Sequence, residues 1–108
     1  MRARFSRNSS VCEKYKVAIA ESAQRDLARI FDYIASQHPR TASQFVLELE
    51  KKACGLEAYP QRHPFIAENE YFGTDYRHLI HKKYRIIYRI AGDTVFIARI
   101  VHGAMLLD

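Results

Sequence analysis

The middle of this sequence carries two helical stripes of apolar side chains, and strand-like runs stand on either side of them. Between residues 22 and 56, apolar side chains recur every three to four positions, which is the period of an amphipathic helix. On either side, in residues 15–20 and 75–102, apolar and polar side chains alternate, as they do along a half-buried strand. The chain therefore has to combine a helical layer with a sheet.

The helical region divides at Pro39, because proline disfavours helical geometry in the residue before it. We expect a first helix that starts with Ser22 as N-cap and ends near Gln37. A second helix should begin around Pro39 to Thr41, where Thr41 and Gln44 have capping-box spacing, and end before residue 59. The connection is very short, so the two helices should pack as an antiparallel hairpin.

Four strands are predicted around this hairpin. Their expected ranges are Tyr15–Ala20, Asp75–His81, Tyr84–Ile90 and Thr94–His102. The last three follow one another through short turns and should be antiparallel, whereas the first can rejoin the sheet in parallel after the helices. Residues 59–74, with two prolines and a glycine, are predicted to be a connecting loop. The fold class is therefore α+β: an N-terminal strand, an antiparallel α-hairpin and a three-stranded antiparallel meander in two layers.

The N-terminal residues and the net charge indicate the cellular location of the protein and the kind of partner it binds. Residues 1–14 are basic and lack periodicity, so we expect a flexible N-terminal extension or a basic arm on nucleic acid, and a domain over residues 15–108. No apolar signal region follows the basic start, which favours the cytoplasm. A net charge of +5 favours an acidic partner, which could be nucleic acid, an acidic protein or a membrane surface.

One face of the sheet is predicted to carry arginines. In the strand Tyr84–Ile90, Arg85 and Arg89 lie opposite the more apolar side chains, which should face the helices. We therefore expect an uncovered face with Arg77, Arg85 and Arg89, and Arg99 as a further candidate. Arginine presents a fork of donors suited to phosphate or carboxylate, so this face could hold a nucleic-acid backbone or an acidic protein surface. The alternative is the ordinary solvated face of an amphipathic sheet.

Other kinds of site have little support in the sequence. The histidines and the two cysteines have no metal-ligand spacing, so no metal is predicted. No glycine-rich phosphate loop is present, and no cofactor is predicted. Tyr84 and Tyr88 are predicted to pack in the core, and His102 is predicted to turn towards the helices in a structural role.

The C-terminal half resembles the ParE/RelE toxin superfamily, the plasmid-stabilisation proteins, and is closer to the ParE branch. The motifs that carry the resemblance are Gly73 to Arg77, Tyr84 to Arg89, and Ile100 to Gly103. The N-terminal half agrees in the order of Ser22-Ala23, Asp26-Leu27, Asp32-Tyr33-Ile34, Pro39 and Phe45. The resemblance covers roughly residues 15–107 and implies the fold predicted above.

The resemblance implies two possible activities. ParE-type members poison DNA gyrase, and here Arg77, Arg85, Arg89 and the C-terminal segment from His102 would contact the target. RelE-type members are ribosome-dependent endoribonucleases, for which Arg77, Arg85 and His102 would be the catalytic candidates. That catalytic set is incomplete here, since Leu79 stands where RelE often has lysine and the ending after His102 lacks its basic and tyrosine residues.

The resemblance also implies a partner. A ParD-like antitoxin would wrap the toxin and mask the helical hairpin and the basic surface, with an acidic segment that becomes ordered on binding. A third alternative is an inactive relative that only binds this partner.

Overall fold

The computed structural model describes residues 14–103. Its strands are β1 (Lys16–Ile19), β2 (Arg77–His81), β3 (Tyr84–Ala91) and β4 (Thr94–His102). Its helices are α1 (Glu21–Ala35), α2 (Pro39–Cys54) and the short α3 (Asn69–Phe72), with 3₁₀ turns at Gly55–Glu57 and Pro60–Arg62. The α+β prediction is confirmed. The single turn of α3 and the 3₁₀ turn at Pro60–Arg62 lie where only loop was expected, and the 3₁₀ turn at Gly55–Glu57 replaces the predicted end of the second helix. No helix within residues 14–103 has the length and apolar character needed to cross a membrane.

The sheet is mixed, with the strand order β1-β4-β3-β2. β2, β3 and β4 form the expected antiparallel meander, and β1 pairs in parallel with the start of β4, Lys16 opposite Thr94 and Ile19 opposite Ile97. The β3–β4 turn has Gly92 at φ +61°, and the β2–β3 turn has Lys82 at φ +56°. Both are left-handed turn positions, which glycine adopts more readily than lysine.

The helix starts differ from the predicted caps. Ala20 is the N-cap of α1, and Ser22 lies in the first turn, where its hydroxyl donates to the Ala98 carbonyl oxygen at 2.8 Å. His38 is the N-cap of α2, followed by Pro39 at the first helical position, so Thr41 is too far along to cap. The capping predictions for Ser22 and Thr41 are therefore wrong, because tertiary contacts and proline geometry fix these starts.

The main core lies between the helical hairpin and one face of the sheet. Its fully buried members include Leu49 of α2 and Leu56 of the 3₁₀ turn that follows, together with Ile86 of β3 and Ile97 of β4. Tyr88 is also fully buried there, and its hydroxyl donates to the Pro60 carbonyl oxygen at 2.6 Å. Burial of this kind stabilises a fold by about 1.5–3 kcal/mol for each large apolar side chain. The prediction that Tyr88 packs in the core is confirmed.

A β-bulge in β4 changes which side chains face this core. Ile87 pairs with Arg99 but Tyr88 pairs with Ile97, so Ala98 is an extra residue in β4. Ile100 consequently joins Ile97 in the core, whereas Arg99 turns to the opposite face. Without the bulge, regular alternation would put Arg99 on the same side of the strand as Ile97.

Asp26 of α1 accepts hydrogen bonds from β4 beyond the bulge. β1 ends opposite Ile97, and no other strand within residues 14–103 pairs with the outer side of β4 further on. The buried Asp26 carboxylate takes that place: it accepts from the Ile100 backbone N–H at 2.9 Å and from Arg99 Nε at 2.8 Å and Nη2 at 3.1 Å. A single side chain thus docks α1 onto the sheet and satisfies a buried donor.

We predict that Asp26→Ala lowers the free energy of unfolding by about 3 kcal/mol, because it removes the carboxylate that accepts from the buried Ile100 N–H and is paired with the Arg99 guanidinium. Urea unfolding followed by circular dichroism measures this loss. Asp32→Ala, which removes an exposed carboxylate from the same helix, is the control and should change stability by less than about 0.5 kcal/mol. Equal effects for the two variants would contradict the role given to Asp26.

Candidate functional site

The four residues predicted to contact a target lie on two faces of the sheet. Arg77 pairs with Tyr88 and His102 pairs with Tyr84, so both are on the helical side. Arg85 and Arg89 are on the opposite side, which we call the far face. The expectation that Arg77 shares a face with Arg85 and Arg89 is wrong. The signal was present in the sequence, since a two-residue turn at Lys82–Lys83 fixes the register that brings Arg77 opposite Tyr88.

Arg85 is buried, which also contradicts the expectation of an uncovered face at this position. Its guanidinium donates to both carboxylate oxygens of Glu68, at 2.8 Å and 3.3 Å, and its Nη1 lies 3.5 Å from His78 Nδ1. Both side chains of the ion pair are only 9% exposed. Arg85 is therefore occupied by an intramolecular partner and is not presented to a target.

The residues that cover Arg85 belong to the connection predicted as loop, and we call residues 64–74 the cover segment. Ile66 packs on Ile87 and Val101 to form a second, smaller core on the far face, with Tyr76 at its side. The sequence did not predict this cover, because residues 59–74 have no clear helical or strand period that would assign Ile66 or Glu68 to a face.

Asn69 closes the cover segment onto the start of β2. Its side-chain oxygen accepts from the Tyr76 backbone N–H at 3.0 Å and from the Thr74 hydroxyl at 2.6 Å, and its side-chain nitrogen donates to the Tyr76 carbonyl at 2.9 Å. Gly73 adopts φ +63° between them. The segment is thus fixed by side-chain hydrogen bonds, an ion pair and apolar contacts together.

Arg77 serves the same connection from the helical side. Its Nη1 donates to the carbonyl oxygens of Gln61 at 2.9 Å and His63 at 2.7 Å. Its guanidinium carbon lies 4.0 Å from the centre of the Phe65 ring, and the two residues form an antiparallel β-bridge. Arg77 therefore holds residues 61–65 against the edge of the sheet while its charge stays partly exposed.

Arg89 lies on the part of the far face that the cover segment leaves open. Its Nε is 3.5 Å from an exposed Asp75 carboxylate, and its side chain is 43% exposed. Phe96, directly across the strand pair, is also exposed, and Ala18 continues the surface onto β1. We call Ala18, Arg89 and Phe96 the open patch.

His102 packs edge-on against Tyr84, with ring centres 5.6 Å apart, on the helical side where it was predicted to lie. The predicted C-terminal contact segment continues into residues 104–108, which lie outside the described residues. Residues 1–13 of the predicted extension lie outside them as well, and Lys14 begins the described part with its ammonium group 3.8 Å from Glu57.

The remaining histidines have structural surroundings. His81 bonds to the Glu48 carboxylate at 3.0 Å and stacks on Phe45, and this bond, assisted by Lys82, holds the pKa of Glu48 below its usual value. Burial, together with the Arg85 charge, lowers the pKa of His78. Within residues 14–103, no group of three histidine, cysteine or acidic side chains is placed to hold a metal ion.

Two solved structures share this fold. The chain is similar to one from the chromosomal ParDE toxin–antitoxin system of P. aeruginosa, with 19% identity and a TM-score of 0.70 over 83% of this chain and 97% of that one. It is also similar to a chain of the RelBE2 toxin–antitoxin complex from Mycobacterium tuberculosis, with 24% identity and a TM-score of 0.61 over 82% of this chain and 98% of that one. Both likenesses concern the fold. The comparison with curated proteins gave no match.

The family is shown by the sequence itself. The family of ParE toxins of the type II toxin–antitoxin system parDE matches residues 17–107, which is most of the chain. This protein therefore belongs to the ParE toxin family.

We predict that Glu68→Ala lowers the free energy of unfolding by about 3 kcal/mol, because it leaves the Arg85 charge buried without its carboxylate. The double variant Glu68→Leu with Arg85→Met should recover most of that loss, since two apolar side chains of similar size remove both buried charges. Glu70→Ala removes an exposed carboxylate from the same segment and is the matched control. A Glu68→Ala protein as stable as Glu70→Ala would show that the pair is not closed in solution.

We also predict that stability falls as the pH drops from roughly 7.5 to 5.5. The pKa of His78 is lowered in the folded protein, by burial first and by the Arg85 charge next, with Glu68 opposing them. The unfolded chain therefore binds the proton more readily below the ordinary value of 6.5, and stability is lost as the pH falls towards the folded pKa. His63, also lowered mainly by burial, acts in the same direction.

Urea midpoints measured across this range test the effect of pH. His78→Gln should flatten the fall, whereas His38→Gln, at an exposed position, should leave it unchanged. An identical pH profile for His78→Gln and the wild type would contradict the assignment to His78.

Proposed function

We propose that this protein is the toxin of a type II toxin–antitoxin pair, that it inhibits DNA gyrase by direct binding in the cytoplasm, and that a ParD-like antitoxin neutralises it. Membership of the ParE toxin family supports the toxin role. The similarity to chains whose structures are described as ParDE and RelBE2 toxin–antitoxin systems supports a partner of the antitoxin kind.

The observation that carries the choice of a binding inhibitor is the separation of the ribonuclease candidates. Arg85 is buried with Glu68 on the far face, while Arg77 and His102 are on the helical side. On that side, Arg77 stands opposite Tyr88 and His102 opposite Tyr84, four residues apart along β3, or about 13 Å. General acid–base cleavage of RNA needs its base, acid and cations around one phosphate. These three residues do not meet that requirement.

The target contacts we propose are Arg89 and the C-terminal segment from His102. Arg89 lies in the open patch beside an exposed aromatic ring, and its exposed partner Asp75 can exchange for a carboxylate on the target. Arg77 remains a candidate through its exposed edge. Arg85 takes a different role from the one expected, since its ion pair with Glu68 holds the cover segment on the far face.

The proposed antitoxin contact is the outer side of the helical hairpin. Tyr33 of α1 and Leu47 of α2 are exposed there, at 73% and 57%. Exposed apolar side chains on a helix pair suit an amphipathic segment that becomes ordered on binding. The net charge of +5 favours an acidic segment in that role.

A supercoiling assay with purified gyrase tests the proposal. Inhibition with trapped cleaved DNA is the expected result. Cleavage of translated message at the ribosomal A site, detected by primer extension, would establish the ribonuclease alternative instead. Absence of growth arrest when the protein is induced without an antitoxin would identify an inactive relative.

We predict that Arg89→Ala raises the concentration needed for gyrase inhibition on the order of ten-fold, as expected for an arginine near the centre of an interface. Arg25→Ala is the matched control, because Arg25 is also an exposed arginine in a surface ion pair, 3.5 Å from Glu21. Both variants should unfold at the wild-type urea concentration. Equal potency of Arg89→Ala and Arg25→Ala would remove the open patch from the proposed interface.

A further inference from the structure

A second basic and aromatic surface lies away from the open patch, at the edge of the sheet where the chain enters the cover segment. It consists of Arg62, His63, Phe65 and Arg77, and we call it the edge patch. Arg77 and Phe65 face each other across their β-bridge, and Arg77 also bonds to the Gln61 and His63 carbonyls. The patch is thus a fixed part of the fold.

Phe65 is held in a geometry suited to stacking. The Arg77 guanidinium lies over one face of the ring at 4.0 Å from its centre. The ring is nevertheless 56% exposed, so much of its surface faces solvent. A cation placed over an aromatic ring fixes the ring at little entropic cost, and an exposed, fixed ring is a platform on which a planar base can stack.

The charge around this ring is positive. Arg62 is exposed, and within residues 14–103 neither Arg62 nor Arg77 forms an ion pair with a carboxylate. His63 lies between them, and its pKa is lowered by burial and then by the charges of Arg62, His78 and Arg77. Among residues 14–103, neither arginine at this edge is neutralised by an ion pair, so the edge attracts an anionic ligand.

We propose that the edge patch binds single-stranded nucleic acid, with Arg62 on a backbone phosphate and an unpaired base stacked on the exposed side of Phe65. An acidic peptide would use the charges but not the ring. A duplex would use the phosphates but keeps its bases inside the stack. The combination of an unpaired arginine and a fixed, half-exposed ring is satisfied by a flexible strand that offers both phosphate and base.

This inference is independent of the gyrase proposal. It concerns a direct contact between the protein and a nucleic acid, measured without gyrase. The supercoiling assay can succeed while the edge patch fails, and the edge patch can bind while gyrase is unaffected, so the two results are distinguishable.

The test uses the full chain and a fluorescent single-stranded DNA of about 12 nucleotides, with binding followed by anisotropy at several salt concentrations. Arg77 is left intact, because its loss would also release the Gln61 and His63 carbonyls. We expect Phe65→Ala to weaken binding roughly five-fold or more, from the lost stacking. We expect Arg62→Ala to weaken it as well and to reduce the salt dependence by about one phosphate contact.

Matched controls test whether the loss of any exposed positive charge or any exposed aromatic ring weakens binding. Arg40→Ala removes one exposed positive charge from α2, and Phe72→Ala removes a ring of similar exposure, 51%, from α3. Both should bind as the wild type does. Urea unfolding of all four variants verifies that each is folded.

Three results would overturn the proposal. One is the absence of binding by the wild-type protein at low salt. Another is equal weakening by a test variant and its control. The third is competition by polyglutamate, or by a duplex of the same length, as effective as competition by the unlabelled single strand, since either would show that the ring is not used.

Discussion

Both cores of this protein depend on one extra residue in β4. Ala98 has no partner in β3, and its insertion turns Ile100 towards the helices while Val101 reaches the far face and meets Ile66. On the other side of β4, β1 ends opposite Ile97, and Asp26 of α1 bonds to the strand just beyond that point. The position of the helical hairpin, the two-sided burial of the sheet and the place of Arg99 all follow from this local irregularity.

The sequence contained enough information for most of the elements and for the register of β2 on β3, but not for the register of β4 beyond Ala98. Alternation along β3 and β4 and the helical stripes predicted the layers, because burial on one side imposes a period on each element. The bulge at Ala98 has no periodic pattern in the sequence. The hydrogen bonds beside it join α1 to β4, and these two elements are far apart along the chain. The same holds for the caps, where Ser22 bonds to a strand carbonyl.

The candidate site was predicted less well than the fold, and the reason is physical. A sequence shows that arginines are present but not whether the fold occupies them. Arg85 is held by Glu68, Arg99 by Asp26, and Arg77 by two backbone carbonyls. Each partner comes from another part of the chain and could not be inferred from strand alternation. Some arginines therefore stabilise the fold through intramolecular bonds, and others, among them Arg62 and Arg89, present their charge at the surface.

The parallel pairing of β1 with β4 also bears on the synthesis of the protein. β1 is the first described element, yet its partners, Thr94 to Ile97, come after every other strand and helix has been made. The donor that Asp26 accepts from, at Ile100, is later still. A chain interrupted before residue 94 lacks the strand that joins β1 to β3 and the anchor of α1. Its hydrophobic surfaces stay exposed to solvent, so we expect the incomplete product to be degraded and not to act as a shortened toxin.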